Sequence, residues 1–239
     1  MIEICVFNIA SAVAAEAAGA DRLELCENYA NGGTTPSYGY LKVCREKINI
    51  PVFPMIRPRA GDFCYSDEEF DIIQKDILLC KELGFEGVVI GLLNIDGSIA
   101  LERTKKLVTL AYPLEVTFHR AFDRCKDPLN ALETIIQCGC QRILTSGQQP
   151  TAAEGKELIK ELIEIANSRI IIMPGSGLKS SNIADIKCYT GACEFHASAR
   201  KRIPTTSLFI NRKISEDLNS DFVDTTEIKQ LKAQANIAF

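Results

Sequence analysis

Apolar and polar positions alternate between two periods along the whole chain. Short β-branched or apolar runs read as strands at Ile2–Asn8, Arg22–Glu27, Pro51–Arg57, Gly87–Leu93, Leu114–His119, Arg142–Ser146, Arg169–Met173 and Cys193–Ala197. Longer stretches of helical period separate them: Ser11–Gly19, Pro36–Lys47, Ser66–Leu83, Ser98–Ala111, Asp127–Cys138, Thr151–Asn167, Ser180–Cys188 and Thr226–Ala235. The third of these opens Ser66-Asp67-Glu68-Glu69, a capping box, and repeats Phe70, Ile73, Ile77 and Cys80 on one face. Strict βαβα alternation with apolar strands predicts a parallel sheet covered by helices. Eight such repeats in 239 residues fit one α/β domain spanning residues 1–239, a closed (β/α)8 TIM barrel. An open doubly wound sheet is excluded by the first strand-to-helix turn, Asn8-Ile9-Ala10-Ser11, which has no glycine for a dinucleotide fingerprint. The irregular stretch 205–224 reads as the long eighth βα-loop, lying over the barrel mouth.

Composition narrows the partners. Lys and Arg total 27 against 31 Asp and Glu, a net charge of −4, which disfavours nucleic acid. A hydrophobic content of 46% and a charged content of 24% match an ordinary globule. No apolar run reaches the ~20 residues that span a bilayer, and Met1-Ile2-Glu3-Ile4-Cys5 has no signal-peptide pattern. The expectation is a cytoplasmic protein whose 10 cysteines are reduced.

Barrel enzymes carry their chemistry at the C-terminal ends of strands and in the loops that follow, which sorts the reactive residues. Cys44 and Cys80 fall on apolar helix stripes, and Cys138-Gly139-Cys140 falls in a turn on the opposite, structural face. Cys5 and Cys26 lie on strands one and two. Neighbouring parallel strands run ~4.8 Å apart, so two inward sulfurs at one height either share a soft metal ion such as Cu(I) or are two buried thiols. Cys64 and Cys125 stand near the mouth as possible helpers. Glu3 and Glu24 share strand parity with the cysteines and need partners if they point inward, with Arg22, Arg57 and His196 within the choice.

A second constellation suits anions. Arg57 and Arg59 end strand three and form a fork for carboxylate or phosphate. Ser146-Gly147 and Gly175-Ser176-Gly177 end strands six and seven, where backbone N–H groups cradle anions. The two histidines, His119 and His196, both end strands. His119, Asp123 and Glu24 are the candidates for proton transfer, with Asp123 placed to orient His119.

Several segments together resemble the CutC family. They are Glu3-Ile4-Cys5, Ala20-Asp21-Arg22-Leu23-Glu24-Leu25-Cys26, Ile56-Arg57-Pro58-Arg59-Ala60-Gly61-Asp62-Phe63-Cys64-Tyr65-Ser66, Thr117-Phe118-His119-Arg120-Ala121-Phe122-Asp123 and Leu144-Thr145-Ser146-Gly147. The resemblance implies a TIM barrel, a cytoplasmic homo-oligomer (a dimer or tetramer) and a role in copper homeostasis with Cys5 and Cys26 as Cu(I) ligands. The residues also support an alternative. An enzyme acting on a small phosphate- or carboxylate-bearing metabolite would use Arg57, Arg59, Ser146, Gly147, Gly175, Gly177 and His196 to hold the anion.

Overall fold

The computed structural model describes residues 1–236. Eight strands, β1 (Ile2–Val6), β2 (Arg22–Leu25), β3 (Val52–Pro54), β4 (Gly87–Ile90), β5 (Glu115–Phe118), β6 (Arg142–Thr145), β7 (Ile171–Pro174) and β8 (Phe195–Ala197), alternate with eight helices. The helices are α1 (Ile9–Ala17), α2 (Tyr38–Lys47), α3 (Asp67–Glu82), α4 (Leu101–Ala111), α5 (Pro128–Cys138), α6 (Lys156–Ala166), α7 (Ile183–Thr190) and α8 (Thr225–Ala235). The parallel ladders run β3-β2-β1-β8 and β4-β5-β6-β7. They join where Met55 bridges Val89 and the Ile56 amide donates to the Val89 carbonyl at 2.8 Å. β7 and β8 lie side by side to complete the (β/α)8 barrel. None of the described helices is long and apolar enough to cross a membrane.

Period-2 alternation divides each strand between two environments. On β1 and β2, Ile2, Ile4, Val6, Leu23 and Leu25 join the large apolar cluster beneath the helices. Cys5 and Cys26 instead join Phe53, Met55 and Val89 in a separate cluster inside the barrel. Each fully buried aliphatic side chain in the outer layer contributes about 1.5–3 kcal/mol relative to exposure.

Helix starts follow local chemistry. Ser66 and Glu69 form the expected reciprocal capping box of α3, Asp127 caps α5 with Pro128 in its first turn, and the Asn8 side chain accepts the Ser11 amide at the head of α1.

Two features differ from the sequence pattern. The β3 ladder ends at Pro54, three residues before Arg57. The region read as the eighth loop is partly regular: β9 (Arg200–Ile203) and β10 (Ser220–Val223) pair antiparallel, with Arg200 opposite Val223. A side-chain bond from Asn8 to the Asp221 carbonyl, 3.0 Å, ties this ribbon to the barrel end.

Below the mouth the lumen is filled by charge. Arg22 pairs with Glu3 at 2.5 Å and with Glu194 at 2.7 Å. Arg142 pairs with Glu194 at 3.0 Å and Glu115 at 2.9 Å. Both guanidinium groups lie over the Phe53 ring, at 4.9 and 5.3 Å. Gly87 leaves room for that ring, since a Cβ there would sit 2.4 Å from Phe53 Cζ.

Candidate functional site

The register of β1 sets the site. Cys5 is aligned with Glu24 on β2, while Glu3 is aligned with Arg22 on one side and His196 of β8 on the other. Alternation then brings Cys5, Glu24 and His196 into the lumen together, and one ligand atom of each lies within 4.8 Å of the others. Cys26, one residue past the end of β2, places its Sγ 3.7 Å from Cys5 Sγ and 3.3 Å from Glu24 Oε2. Below them, Glu3 Oε1 bonds His196 Nδ1 at 2.7 Å. Glu3 is in turn held by Arg22, so the ion network of the lower lumen fixes the imidazole.

Burial and charge separate the states of these groups. Burial works against the Glu3 carboxylate, but the His196 hydrogen bond and the Arg22 charge outweigh it and hold Glu3 down at about 2. The Cys26 hydrogen bond, helped by His196 against burial, brings the Cys5 thiol down to about 5. Burial pushes Cys26 well up, with the Cys5 charge adding to it. Burial and the same thiolate also raise Glu24. His196 is desolvated, yet Glu24, Cys5 and Glu3 raise it well above its ordinary value. At neutral pH this leaves a Cys5 thiolate beside a protonated His196, with the Cys26 thiol donating to Glu24 Oε2.

The other side of the mouth is built differently. His119, at the end of β5, is buried with Nδ1 accepting the Ala121 amide at 3.1 Å. That places the ring proton on Nε2, which has no partner among the described residues. Burial and the nearby Arg57 charge lower His119 to about 3, so the ring is neutral. Gly91 makes this position possible, because a Cβ there would meet the imidazole at 2.3 Å.

Asp123 does not orient His119. The 3-10 turn Arg120–Arg124 carries it toward β6 instead. There it accepts from Thr145 Oγ1 at 2.5 Å and from the Ser146 and Gln148 amides at 3.1 and 3.2 Å, and pairs with Arg120 at 2.7 Å. The anion cradle expected at Ser146 and Gly147 therefore forms, but its occupant is the chain's own carboxylate. The Gly147 amide is likewise used, on Thr145 Oγ1 at 2.9 Å, and the Gly175 amide donates to the Thr145 carbonyl at 2.9 Å.

The expected arginine fork also separates. Arg57 lines the mouth, but its terminal nitrogens bond the carbonyls of Asn31, Gly33 and Gly61 at 2.7, 2.9 and 2.8 Å, and the side chain also hydrogen-bonds toward Tyr65. Arg59 turns away to Glu69 at 2.5 Å and Asp62 at 2.9 Å. Because the ladder ends before Pro58, strand alternation no longer places these two side chains on one face.

A cavity of ≈300 Å³ opens between the two sides, lined by Cys5, Glu24, His196, Arg57, Phe63 and His119 among others. Cys64 and Cys125 are not in its wall; the Cys125 thiol accepts from Gln148 at 3.4 Å. Cys138 and Cys140 are packed in the outer apolar cluster. The groups that sequence reasoning missed are Glu194 and Arg142. Glu194 had a visible signal, since it shares strand parity with His196.

Known proteins match this chain over most of its length. A model of the CutC family matches residues 1–201. A protein of Chromobacterium violaceum named as a family protein CutC is 49% identical over 85% of this chain and 82% of its own. The human copper homeostasis protein cutC homolog is 45% identical over 98% of this chain and 89% of its own. The crystal structure of the CutC protein from Streptococcus agalactiae superposes with a TM-score of 0.78 at 36% identity, covering 83% of this chain and 98% of that one.

Proposed function

The chain belongs to the CutC family, and from that premise we propose that it binds copper as Cu(I) through Cys5 and Cys26 and handles the metal in the cytoplasm. The observation that carries the reading is the pair of sulfurs 3.7 Å apart in the mouth. Soft thiolates select Cu(I) over hard cations, and a shielded site protects the reduced metal from water and oxidant.

Cys5, already a thiolate, supplies the first ligand atom. Cys26 must lose its proton to supply the second, and its 3.3 Å contact with Glu24 gives that proton a place to go. The positive charge of His196 offsets the thiolate before metal arrives. Once a cation is bound, the same imidazole, losing its proton, becomes available as a further donor.

An anaerobic Cu(I) competition titration against a strong chelator tests this, with circular dichroism as the folding check. Exposed Cys188 and Cys193 are replaced by serine throughout, so that surface thiols do not contribute. Tight one-to-one binding lost on Cys5→Ser and on Cys26→Ser is the expected result. Binding left unchanged by both substitutions overturns the proposal.

A further inference from the structure

The anion cradle after β6 is closed by Asp123; after β7 Glu227 takes the Ser180 amide and hydroxyl, but the amides nearer the β7 and β8 strand ends stay open. They border a second cavity of ≈570 Å³. It shares Arg120, Ser176, Gly177, His196, Ser198 and Arg200 with the mouth cavity, so the two form one continuous cleft. Ser176 and Ala199, at φ +76° and +40°, are non-glycine residues held in the left-handed region on either side of it, and Gly177 follows at φ +73°. Such conformations cost about 1–2 kcal/mol for residues with a Cβ and concentrate where backbone is shaped for a ligand. The amides of Gly177, Leu178, Ser198 and Ala199 donate to no acceptor among the described residues.

The side chains around the cleft fit the same reading. Lys179, Arg120 and Arg200 stand in its wall. Arg120 is fixed by Nε to Asp123 and by Nη2 to Ser146, at 2.7 and 2.9 Å, which leaves Nη1 without an acceptor among the described residues. The two wall carboxylates are already committed. Asp224 caps α8 through the Thr226 and Glu227 amides, and Glu227 accepts from Ser180 N and Oγ at 2.7 and 2.8 Å. At the far end, His119 Nε2 is a buried donor with no partner among the described residues, and Arg57, which also hydrogen-bonds toward Tyr65, shares the mouth wall with it. Phe63 packs against each, 5.0 Å from the guanidinium and 4.9 Å from the imidazole.

We propose that this cleft binds a phosphorylated small metabolite, with the phosphate on the β7 and β8 loops and the remainder lying across the mouth toward His119. A barrel offers amides for phosphate at this place because the strand ends converge there, and the open amides with Lys179 and Nη1 of Arg120 supply the charge-assisted bonds that a phosphate dianion takes, while Arg200 is already held by Tyr29 and Asp221. A volume of ≈300 Å³ at the mouth suits a remainder of a few carbon atoms bearing an oxygen acceptor for the buried His119 donor. The inference does not rest on the copper reading, since none of the phosphate contacts involves a thiol.

Calorimetric titration of the full chain with glycerol 3-phosphate, inorganic phosphate and glycerol tests it. The ester is expected to bind about tenfold more tightly than inorganic phosphate, and glycerol not at all at millimolar concentration. Ser198→Asp, an exposed change that puts negative charge on the loop, weakens both phosphate probes at least about tenfold while the melting temperature holds. His119→Asn weakens the ester alone. Absence of heat with both phosphate probes, or binding indifferent to Ser198→Asp, overturns the site. Equal affinity for the ester and for inorganic phosphate overturns the mouth portion. Cys26→Ser, whose thiol lies outside both cavity walls, leaves phosphate binding intact, so failure of either reading is distinguishable from failure of the other.

Discussion

The two sides of the barrel mouth carry equally suggestive residues and do different things with them. On the β5/β6 side, Asp123, Thr145, Ser146 and Arg120 satisfy one another almost completely. On the β1/β2/β8 side, Cys5, Cys26, Glu24 and His196 are crowded together with a thiolate, a Glu24 oxygen with no partner among the described residues, and mismatched proton affinities. Both clusters are buried and both end strands. What separates them is whether the polar groups close on themselves. A closed set stabilises the fold, whereas an open one retains capacity for a metal ion, a proton or a ligand.

Removing the closed cluster's anion breaks that contrast most sharply. Asp123→Ala strips the Ser146 and Gln148 amides and Arg120 of their acceptor, and should cost about 4 kcal/mol in urea denaturation. Cu(I) affinity should stay within a factor of about two, because no thiol contact changes. A loss of copper binding in a still-folded Asp123→Ala protein would show that the two sides are one unit.

The next effect is on pH dependence. His119 titrates at about 3 folded against an ordinary 6.5, so the folded state resists protonation that the unfolded chain accepts. Its contribution is complete above pH 6.5 and is lost as pH falls toward 3. Between pH 6.5 and 4.5 this amounts to roughly 3 kcal/mol. Glu3, held at about 2 against 4.5, adds its own loss only below pH 4.5. His119→Asn should therefore reduce the slope of the stability profile between pH 6.5 and 4.5, where the Cys5 thiolate, at about 5 against 9, supplies the rest of the fall, and leave the loss beneath it. An unchanged profile would place the acid sensitivity elsewhere.

On the open side the effects fall on the ligand. Cys5→Ser is expected to weaken Cu(I) at least about a hundredfold, near 2.7 kcal/mol, while changing unfolding free energy by less than about 1 kcal/mol. Smaller again, Glu24→Gln should weaken Cu(I) about tenfold, as loss of a group that supports a ligand without being the principal one. It should also raise proton release on binding, since the Cys26 proton then has no carboxylate to go to, measured in two buffers of different ionisation enthalpy. If Glu24→Gln matched Cys5→Ser in its effect, Glu24 would be a principal ligand.

Much of the barrel was legible because its signal is local. Each strand's outward residues must meet a helix, so Ile2, Ile4 and Val6 announce β1, and a capping box such as Ser66 with Glu69 is complete within four residues. The pairing of Cys5 with Cys26 could also be read, since strand parity and adjacency are enough to bring two inward sulfurs close. The same parity arguments failed at Arg59, where the ladder had already ended at Pro54, and at Asp123, where a 3-10 turn rotated the side chain from His119 toward β6. The ribbon of β9 and β10 was missed for a related reason. Exposed strands carry no apolar period to betray them.

The sequence by itself determined the alternation of strands and helices, the residues that face inward, and the strand ends where chemistry gathers. Those properties depend on periods of 2 and 3.6 residues and on short-range capping, which need no knowledge of distant neighbours. Only the tertiary structure decided which polar groups were already spent. Asp123 reaches Ser146 across 23 residues, Glu3 reaches His196 across 193, and the open amides lie beside strand ends closed by the barrel. Whether a buried donor or acceptor is free depends on every group within about 3 Å of it, and that is fixed by the closure of the fold.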